Sequence, residues 1–137
     1  MAHDPDCIFC KVLDGEIPAE LVDEDEHTVS FMDINPWTRG HALSIPRNHV
    51  RNLWEIGEDD LRHTMLAAQR LALMVRDRLD CDGVNLINST EAPAWQTIFH
   101  FHVHVIPRYE GDPLQLPVRP ERANPEDLAA VARELRG

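Results

Sequence analysis

The 137-residue chain has no apolar run that approaches the ~20 residues a transmembrane helix needs. Its first ten residues also lack the basic start and long apolar stretch of a signal peptide. Neither an internal repeat nor a low-complexity tract is visible. We therefore expect a soluble, cytoplasmic protein without a membrane partner.

Cysteine is scarce, with three residues in the chain, whereas hydrophobic residues make up 43% and charged residues 27%. That composition supplies one hydrophobic core, which argues against both disorder and a disulfide-stapled miniprotein. The length predicts a single domain over residues 1–137.

Basic residues are also few, since 13 stand against 24 acidic ones and the net charge is −11. An acidic surface repels phosphate backbones, so we expect no nucleic-acid partner. A small anionic ligand stays compatible with this charge, because backbone amides and histidines can bind it locally.

Hydrophobic periodicity and turn residues predict an α+β fold, with a mostly antiparallel sheet and a helix packed on it. Predicted helices cover residues 5–13, 58–80 and 125–135, and predicted strands cover 21–22, 28–32, 41–45, 84–88 and 98–106. The long helix has an apolar stripe of Leu61, Met65, Ala68, Leu71, Ala72, Val75 and Leu79.

Three histidines alternate with apolar residues in the segment His100–Ile106. Because side chains of a strand alternate between its faces, His100, His102 and His104 share one face, which we expect to be open. Three imidazoles in register could be structural, could form a metal site, or could comprise a nucleophile with helpers. In the third case a neutral imidazole attacks phosphorus while its neighbours orient it or protonate the leaving group.

Cys7 and Cys10 form a Cys-x-x-Cys pair, which is typical of zinc sites and of redox pairs and also arises by coincidence. A redox pair normally opens a helix after a strand, and no strand is predicted before Cys7. Zinc needs two further nitrogen or sulfur ligands. Cys81 is expected to be a small buried residue.

The pattern of residues 100–106 resembles the signature of the histidine-triad (HIT) superfamily, in which three histidines alternate with apolar residues. Further segments resemble its Hint-like branch in the same order, so the resemblance covers about residues 7–108 and leaves 109–137 as a C-terminal extension. These segments are Ile8–Lys11, Gly15–Ala19, Phe31–Pro36, Gly40-His41, Ile45-Pro46 and His49.

The resemblance implies a role for each matching residue. His102 corresponds to the nucleophile that forms a nucleotidyl-histidine, His104 lines the phosphate and leaving-group side, and His41 belongs to the same cluster. Asp33 corresponds to the carboxylate that binds the ribose hydroxyls. The matching base slot comprises Ile8, Phe9, Val12, Phe31 and Ile34, and the matching phosphate contacts are Asn88, Gln96 and Thr97.

Some members of the superfamily bind structural zinc through residues matching Cys7, Cys10, His49 and His100, so the resemblance implies zinc here. It also implies a homodimer. One residue departs from the pattern: relatives usually carry glycine before Gln96, where this chain has Trp95. We expect Trp95 to wall the leaving-group side and to bias substrate choice.

The predicted activity is hydrolysis at the α-phosphate of purine nucleotide phosphoramidates or esters. His104 stands where the transferase branch has glutamine, which favours hydrolysis over transfer to a sugar phosphate. Three alternatives stay open: a dinucleoside polyphosphate hydrolase of the same fold, a non-catalytic nucleotide-binding module, and a zinc-organised interaction protein.

Overall fold

The computed structural model describes all residues, 1–137, and contains three helices and one five-stranded antiparallel sheet. The fold is α+β, as predicted. The helices are α1 (Ile8–Leu13), α2 (Glu58–Leu79) and α3 (Pro125–Arg136). The strands are β1 (Leu21–Glu24), β2 (Thr28–Met32), β3 (Ala42–Pro46), β4 (Gly83–Ile87) and β5 (Val103–Arg108), in the sheet order β1-β2-β3-β5-β4.

The central strands are covered on both faces. On one face α2 packs against a cluster of Ala42, Ala68, Leu71, Phe101, Val103 and Val105. On the other face α1 contributes to a cluster of Cys7, Phe9, Cys10, Val29, Phe31, Leu43 and Ile45. The prediction that the third strand is half-buried was therefore wrong, because every residue of β3 is buried.

Helix α1 begins at Ile8, three residues later than predicted, because Cys7 caps it. The Sγ of Cys7 accepts a hydrogen bond from the Cys10 N–H, at 3.4 Å, which satisfies one of the free amides of the first turn. The cap thus brings both cysteine side chains to the same end of the helix.

Helix α2 agrees with its predicted range to within one residue, but its buried face is rotated from the predicted stripe. The structure buries Thr64 and Ala67 and leaves Met65 41% exposed. Thr64 tolerates burial because its hydroxyl donates to the Asp60 carbonyl, at 2.7 Å. No helix of the structure is long and apolar enough to cross a membrane.

Strand β5 is shorter at its start and longer at its end than the predicted strand 98–106. The segment before Val103 does not pair with β3; instead Phe101 N–H donates to the Val50 carbonyl, at 2.7 Å. At the other end Pro107 continues the strand, paired with Val84. The proline is tolerated because β3 stops pairing with β5 at Val105.

Gly40 positions the histidine that follows it. Its φ is +91°, and an added Cβ would lie 2.5 Å from the Leu79 Cδ1 and 3.2 Å from the Pro107 Cγ. A left-handed backbone and a close approach therefore coincide immediately before His41.

We expect Gly40→Ala to lower the free energy of unfolding by at least ~1 kcal/mol more than Gly15→Ala, because overpacking costs roughly 1–3 kcal/mol. Gly15 is the matched control, since its φ is +79° but an added Cβ would meet nothing within 4 Å. Urea denaturation of both variants measures the difference. Equal losses of unfolding free energy in the two variants would show that Gly40 is required only for its positive φ and not for its close packing.

Candidate active site and metal-binding cluster

A cavity of about 440 Å³ opens between α1, the β2–β3 connection and the segment before β5. Its size suits a small-molecule ligand. The cavity walls include seven of the nine predicted nucleotide-binding residues together with two of the three predicted catalytic histidines. These are Ile8, Phe9, Val12, Phe31, Asp33, Ile34, Thr97, His102 and His104.

The hydrogen bonds of His102 determine which of its ring nitrogens is free. Its Nδ1–H donates to the backbone carbonyl of His100, at 2.7 Å. In the neutral imidazole the other nitrogen, Nε2, then carries the lone pair. The His102 Nε2 has no hydrogen-bond partner in this structure. Because every fully buried polar side-chain atom has a partner, Nε2 is not fully buried and is reached by solvent at the cavity wall.

His104 is held in the opposite tautomer by a chain of hydrogen bonds. The Trp37 amide donates to the Nδ1 of His41, at 3.0 Å, so neutral His41 carries its proton on Nε2. That Nε2–H donates to the Nδ1 of His104, at 2.9 Å, which leaves His104 with an Nε2–H. A lone pair on His102 and a donor on His104 thus stand side by side, with ring centroids 4.9 Å apart.

His41 does not line the cavity, because it is fully buried behind His104. It was predicted as a member of the catalytic cluster, and in the structure it contacts the His104 ring and not the cavity. Asp33 lies beside both rings, with its Oδ2 3.5 Å from the His41 Nε2 and 3.8 Å from the His104 Nδ1. Its Oδ1 accepts the Asn35 N–H, at 2.7 Å, which fixes the carboxylate.

Burial keeps these imidazoles neutral. Desolvation lowers the pKa of His104 to about 4, helped by repulsion from His102 and His41. Desolvation also lowers the pKa of His102 and of His41, although the Asp33 carboxylate opposes it in both. The histidine face, predicted to be open, is therefore mostly buried and reaches solvent only at the cavity, and Phe9 lies edge-on to His102 with ring centroids 5.2 Å apart.

Two predicted phosphate contacts, Asn88 and Gln96, do not line the cavity. The Nδ2 of Asn88 donates to the His102 carbonyl, at 2.9 Å, so Asn88 fixes the backbone of His102. The Nε2 of Gln96 donates to the carbonyls of Arg51 and Ile98, and its Oε1 accepts the Glu91 N–H. In this structure the Gln96 side-chain amide therefore binds backbone groups and does not face the cavity.

The same loop holds two non-glycine residues at positive φ, Glu91 at 73° and Trp95 at 78°. Such sparsely populated backbone conformations cost a non-glycine residue roughly 1–3 kcal/mol. Glu91 also accepts two hydrogen bonds from Arg51 and one from Asn52, and these lower the pKa of its carboxyl to about 2. The loop is therefore strained and firmly held.

The four predicted metal ligands, Cys7, Cys10, His49 and His100, converge at one point. Their ligand atoms all lie within 4.8 Å of one another. The His100 Nδ1 is 3.5 Å from the Cys7 Sγ, 3.6 Å from the Cys10 Sγ and 3.2 Å from the His49 Nδ1. A tetrahedral zinc with typical bond lengths separates such ligand atoms by roughly 3.3–3.8 Å, so the donor set fits that ion.

Groups around this cluster orient its members. The Nε2–H of His100 donates to the Pro46 carbonyl, at 2.8 Å, which leaves the Nδ1 lone pair facing the cysteines. Backbone amides of Asp4 and Cys10 donate to the two sulfur atoms, at 3.4 Å each. Burial raises the pKa of the Cys10 thiol to about 11 and lowers that of His100 to about 4.

The sequence reasoning missed several cavity residues, namely Ile17, Pro18, Ala19, Met32, Asn35, Trp37, Leu43 and Ile98. Most of them are apolar and are not separable from core residues by type.

Residues 14–111 match the HIT domain family. This chain belongs to the HIT family. An uncharacterized HIT-like protein of Methanocaldococcus jannaschii is 39% identical to it over 131 residues, which span 96% of this chain and 99% of that protein.

Two solved structures of HIT proteins share its fold. A zinc-bound histidine triad family protein from Mycobacterium smegmatis is 36% identical, with a TM-score of 0.78 and 96% of each chain covered. A histidine triad nucleotide-binding protein from Candida albicans is 31% identical, with a TM-score of 0.82, and the comparison covers 95% of this chain and 94% of that one.

The lowered pKa of His104 makes the stability of this HIT protein depend on pH. The unfolded state binds a proton near the ordinary histidine pKa of 6.5, whereas folded His104 binds it only near pH 4. The contribution of His104 is therefore complete above pH 6.5 and is lost as the pH falls towards 4. We expect His104→Gln to reduce this loss, measured by urea denaturation between pH 7.5 and 4.5. The same pH dependence of the unfolding free energy in the wild type and in His104→Gln would contradict a lowered pKa of His104.

Proposed function

We propose that this HIT protein hydrolyses purine nucleotide phosphoramidates or esters at the α-phosphate, through a nucleotidyl-histidine on His102. One observation carries the proposal: the backbone carbonyl of His100 holds the Nδ1–H of His102, so the Nε2 lone pair faces a cavity built for a small molecule. A purely binding protein has no need of such a lone pair.

The nucleotide is oriented by two parts of the cavity. The base lies in the apolar slot of Ile8, Phe9, Val12 and Phe31, with Ile34 at its exposed rim. The carboxylate of Asp33 accepts the ribose hydroxyls, and the Thr97 hydroxyl contacts a phosphoryl oxygen. This arrangement places the α-phosphorus at His102.

In the first step the His102 Nε2 forms a bond to the α-phosphorus while the bond from phosphorus to the leaving nitrogen or oxygen breaks. The leaving atom takes a proton from the Nε2 of His104. His104 holds that proton once the anionic phosphate is bound beside it, because a nearby negative charge favours the imidazolium. The imidazolium also carries a proton on Nδ1, so its hydrogen bond with the His41 Nε2–H is replaced by Asp33, whose Oδ2 lies 3.8 Å from the His104 Nδ1 and 3.5 Å from the His41 Nε2.

The first step leaves a positive charge on His102, whose Nδ1–H still donates to the His100 carbonyl. In the second step water attacks the phosphorus and gives one proton to the now neutral His104. The bond from phosphorus to Nε2 breaks, His102 is restored, and a nucleoside monophosphate leaves. The second proton of the water stays on the released phosphate, so the protons balance, and no organic cofactor takes part.

Release of AMP from adenosine 5′-phosphoramidate tests this mechanism. We expect His102→Ala to lower kcat by at least about 10³-fold, since loss of a nucleophile removes the covalent route. His104→Gln should lower kcat by about 10²–10⁴-fold, the usual contribution of a proton-transferring side chain. His63→Ala, on α2 and outside the cavity, is the matched control.

Other outcomes separate the alternatives. Faster cleavage of diadenosine polyphosphates than of the phosphoramidate would identify a dinucleoside polyphosphate hydrolase. Tight binding of nucleotide without turnover of either compound would contradict hydrolysis and support a nucleotide-binding module. Unchanged turnover in His102→Ala would contradict the nucleotidyl-histidine.

We further propose that Cys7, Cys10, His49 and His100 hold a structural Zn²⁺ ion. The distances between their ligand atoms support a tetrahedral ion, and four protein ligands leave no open position for catalysis. When bound, the ion supplies a cross-link between the start of α1 and the histidine segment. It thereby fixes His100, whose carbonyl orients His102.

Metal analysis of the purified protein should find one zinc per chain, and chelation should lower Tm by roughly 10 °C or more, since structural zinc contributes strongly to folding. Cys10→Ser should abolish the zinc content. Cys81→Ser is the matched control, because this free cysteine lies outside the cluster and should leave zinc bound. An unchanged Tm in strong chelator would contradict a structural zinc.

A further inference from the structure

Glu91 has a backbone conformation that is almost confined to glycine. Its φ of 73° and ψ of 160° lie in a region that essentially only glycine occupies. Another residue persists there only where the surrounding structure holds it, and such residues cluster at functional sites. A glutamate at this position therefore points to the contacts that its side chain makes.

The side-chain contacts of Glu91 all lead to the connection between β3 and α2. Its Oε2 accepts hydrogen bonds from the Arg51 Nε, at 2.7 Å, and from the Asn52 Nδ2, at 2.6 Å. Its Oε1 accepts a bond from the Arg51 Nη2, at 2.9 Å. The contact with Arg51 is thus bidentate, which is the strong and directional form of an arginine–carboxylate pair. It joins two segments that lie 40 residues apart in the chain.

Arg51 contacts the loop 91–99 at two further points. Its backbone carbonyl accepts a hydrogen bond from the Gln96 Nε2, at 2.8 Å. Its guanidinium lies over the Phe99 ring, with the Cζ atom 4.2 Å from the ring centroid, which is a cation–π contact. The start, the middle and the end of the loop therefore all contact one residue.

The same loop forms part of the cavity wall. Thr97 and Ile98 line the cavity, whereas Arg51 and Glu91 do not. Thr97 is flanked by Gln96, whose side-chain amide donates both to the Arg51 carbonyl and to the Ile98 carbonyl, the latter at 3.1 Å. The contacts of Arg51 thus hold the backbone on both sides of Thr97 without reaching the cavity themselves.

We propose that Arg51 and Glu91 are positioning residues, whose ion pair holds Thr97 at the phosphoryl group of the bound nucleotide. The inference rests on the proposed function, in which the Thr97 hydroxyl contacts a phosphoryl oxygen, and it leaves the bonds made and broken unchanged. Without the ion pair the loop 91–99 loses the contact that fixes its start, and Thr97 no longer meets the phosphate in one geometry. A misplacement of about 1 Å at a reacting group can cost ~10²-fold in rate.

Equilibrium binding of AMP and of adenosine tests the positioning without turnover, because the two ligands differ only in the phosphoryl group. We expect Glu91→Gly and Arg51→Ala each to weaken AMP binding at least about fivefold, as loss of a hydrogen bond to a charged group does. The affinity for adenosine should stay within about twofold, because the base slot and Asp33 lie outside the loop 91–99 and distant sites change independently.

The two substitutions separate positioning from electrostatics. Arg51→Ala removes a positive charge and Glu91→Gly removes a negative one, so a change of the local field would shift AMP affinity in opposite directions. Loss of positioning weakens AMP binding in both variants. Glycine also suits the backbone angles of position 91, so Glu91→Gly should keep Tm within about 4 °C of the wild type.

Arg70→Ala is the matched control. Arg70 donates to the carboxylates of Asp23 and Asp25, at 2.9 Å each, and so forms a comparable ion pair outside the cavity. This variant should leave both affinities unchanged. The double variant Arg51→Ala/Glu91→Gly should lose no more AMP affinity than the more affected single variant, because both substitutions break one contact.

Turnover of adenosine 5′-phosphoramidate by the same variants measures the consequence for the reaction. Glu91→Gly and Arg51→Ala should each lower kcat by about 10–10²-fold, whereas Arg70→Ala should leave it unchanged. An AMP affinity that falls no more than the adenosine affinity in either single variant would overturn the positioning pair. Opposite shifts in the two variants, or losses that multiply in the double variant, would overturn it as well.

The two proposals fail separately. If the wild type does not cleave adenosine 5′-phosphoramidate but AMP binding weakens in both single variants, the hydrolase is wrong and the positioning pair stands. If the compound is cleaved through His102 but AMP binding does not depend on Arg51 or Glu91, the hydrolase stands and the positioning pair is wrong.

Discussion

The hydrogen bond from the His102 Nδ1–H to the His100 carbonyl is the interaction on which the site depends. It assigns the lone pair of His102 to Nε2 and aims it at the cavity. The carbonyl can serve because His100 is itself held, by the Pro46 carbonyl at one ring nitrogen and by the cysteine and histidine cluster at the other. His102 and the cysteine and histidine cluster are thus connected, because His100 belongs to the cluster and lies two residues before His102 in the chain.

The two faces of the histidine segment have different roles, since one packs in the core and the other carries the histidines. Phe101, Val103 and Val105 pack against α2 and anchor the segment in the core. The histidines face α1, where burial favours their neutral forms. Backbone groups determine the tautomers of His100 and His102, and a backbone amide on His41 determines that of His104 through the His41 ring. The tautomers are therefore set without a charged partner at every histidine.

Much of this arrangement could be predicted from local pattern. Alternation placed the three histidines on one face, and the long α2 agrees with its predicted range almost to the residue. Cys7 and Cys10 were recognisable by spacing, but their partners His49 and His100 came from resemblance, because ligands distant in sequence leave no local signal. The homodimer and the cytoplasmic location stay predictions.

The features that could not be predicted from the sequence depend on contacts between distant segments. Gln96 resembles a phosphate contact, yet its amide is consumed by backbone groups of the loop. The start of β5 at Val103 follows from Phe101 pairing with Val50, which no periodicity encodes. The buried face of α2 rotated onto Thr64 because a hydroxyl can be satisfied within its own helix.

The most direct test of the account is the tautomer of each histidine, measured by long-range ¹H–¹⁵N correlation NMR on the zinc-loaded protein near pH 7. The account predicts that His102 carries its proton on Nδ1 and that His104 and His41 carry theirs on Nε2. A proton on the Nε2 of His102 would remove the lone pair from the cavity and contradict the central claim.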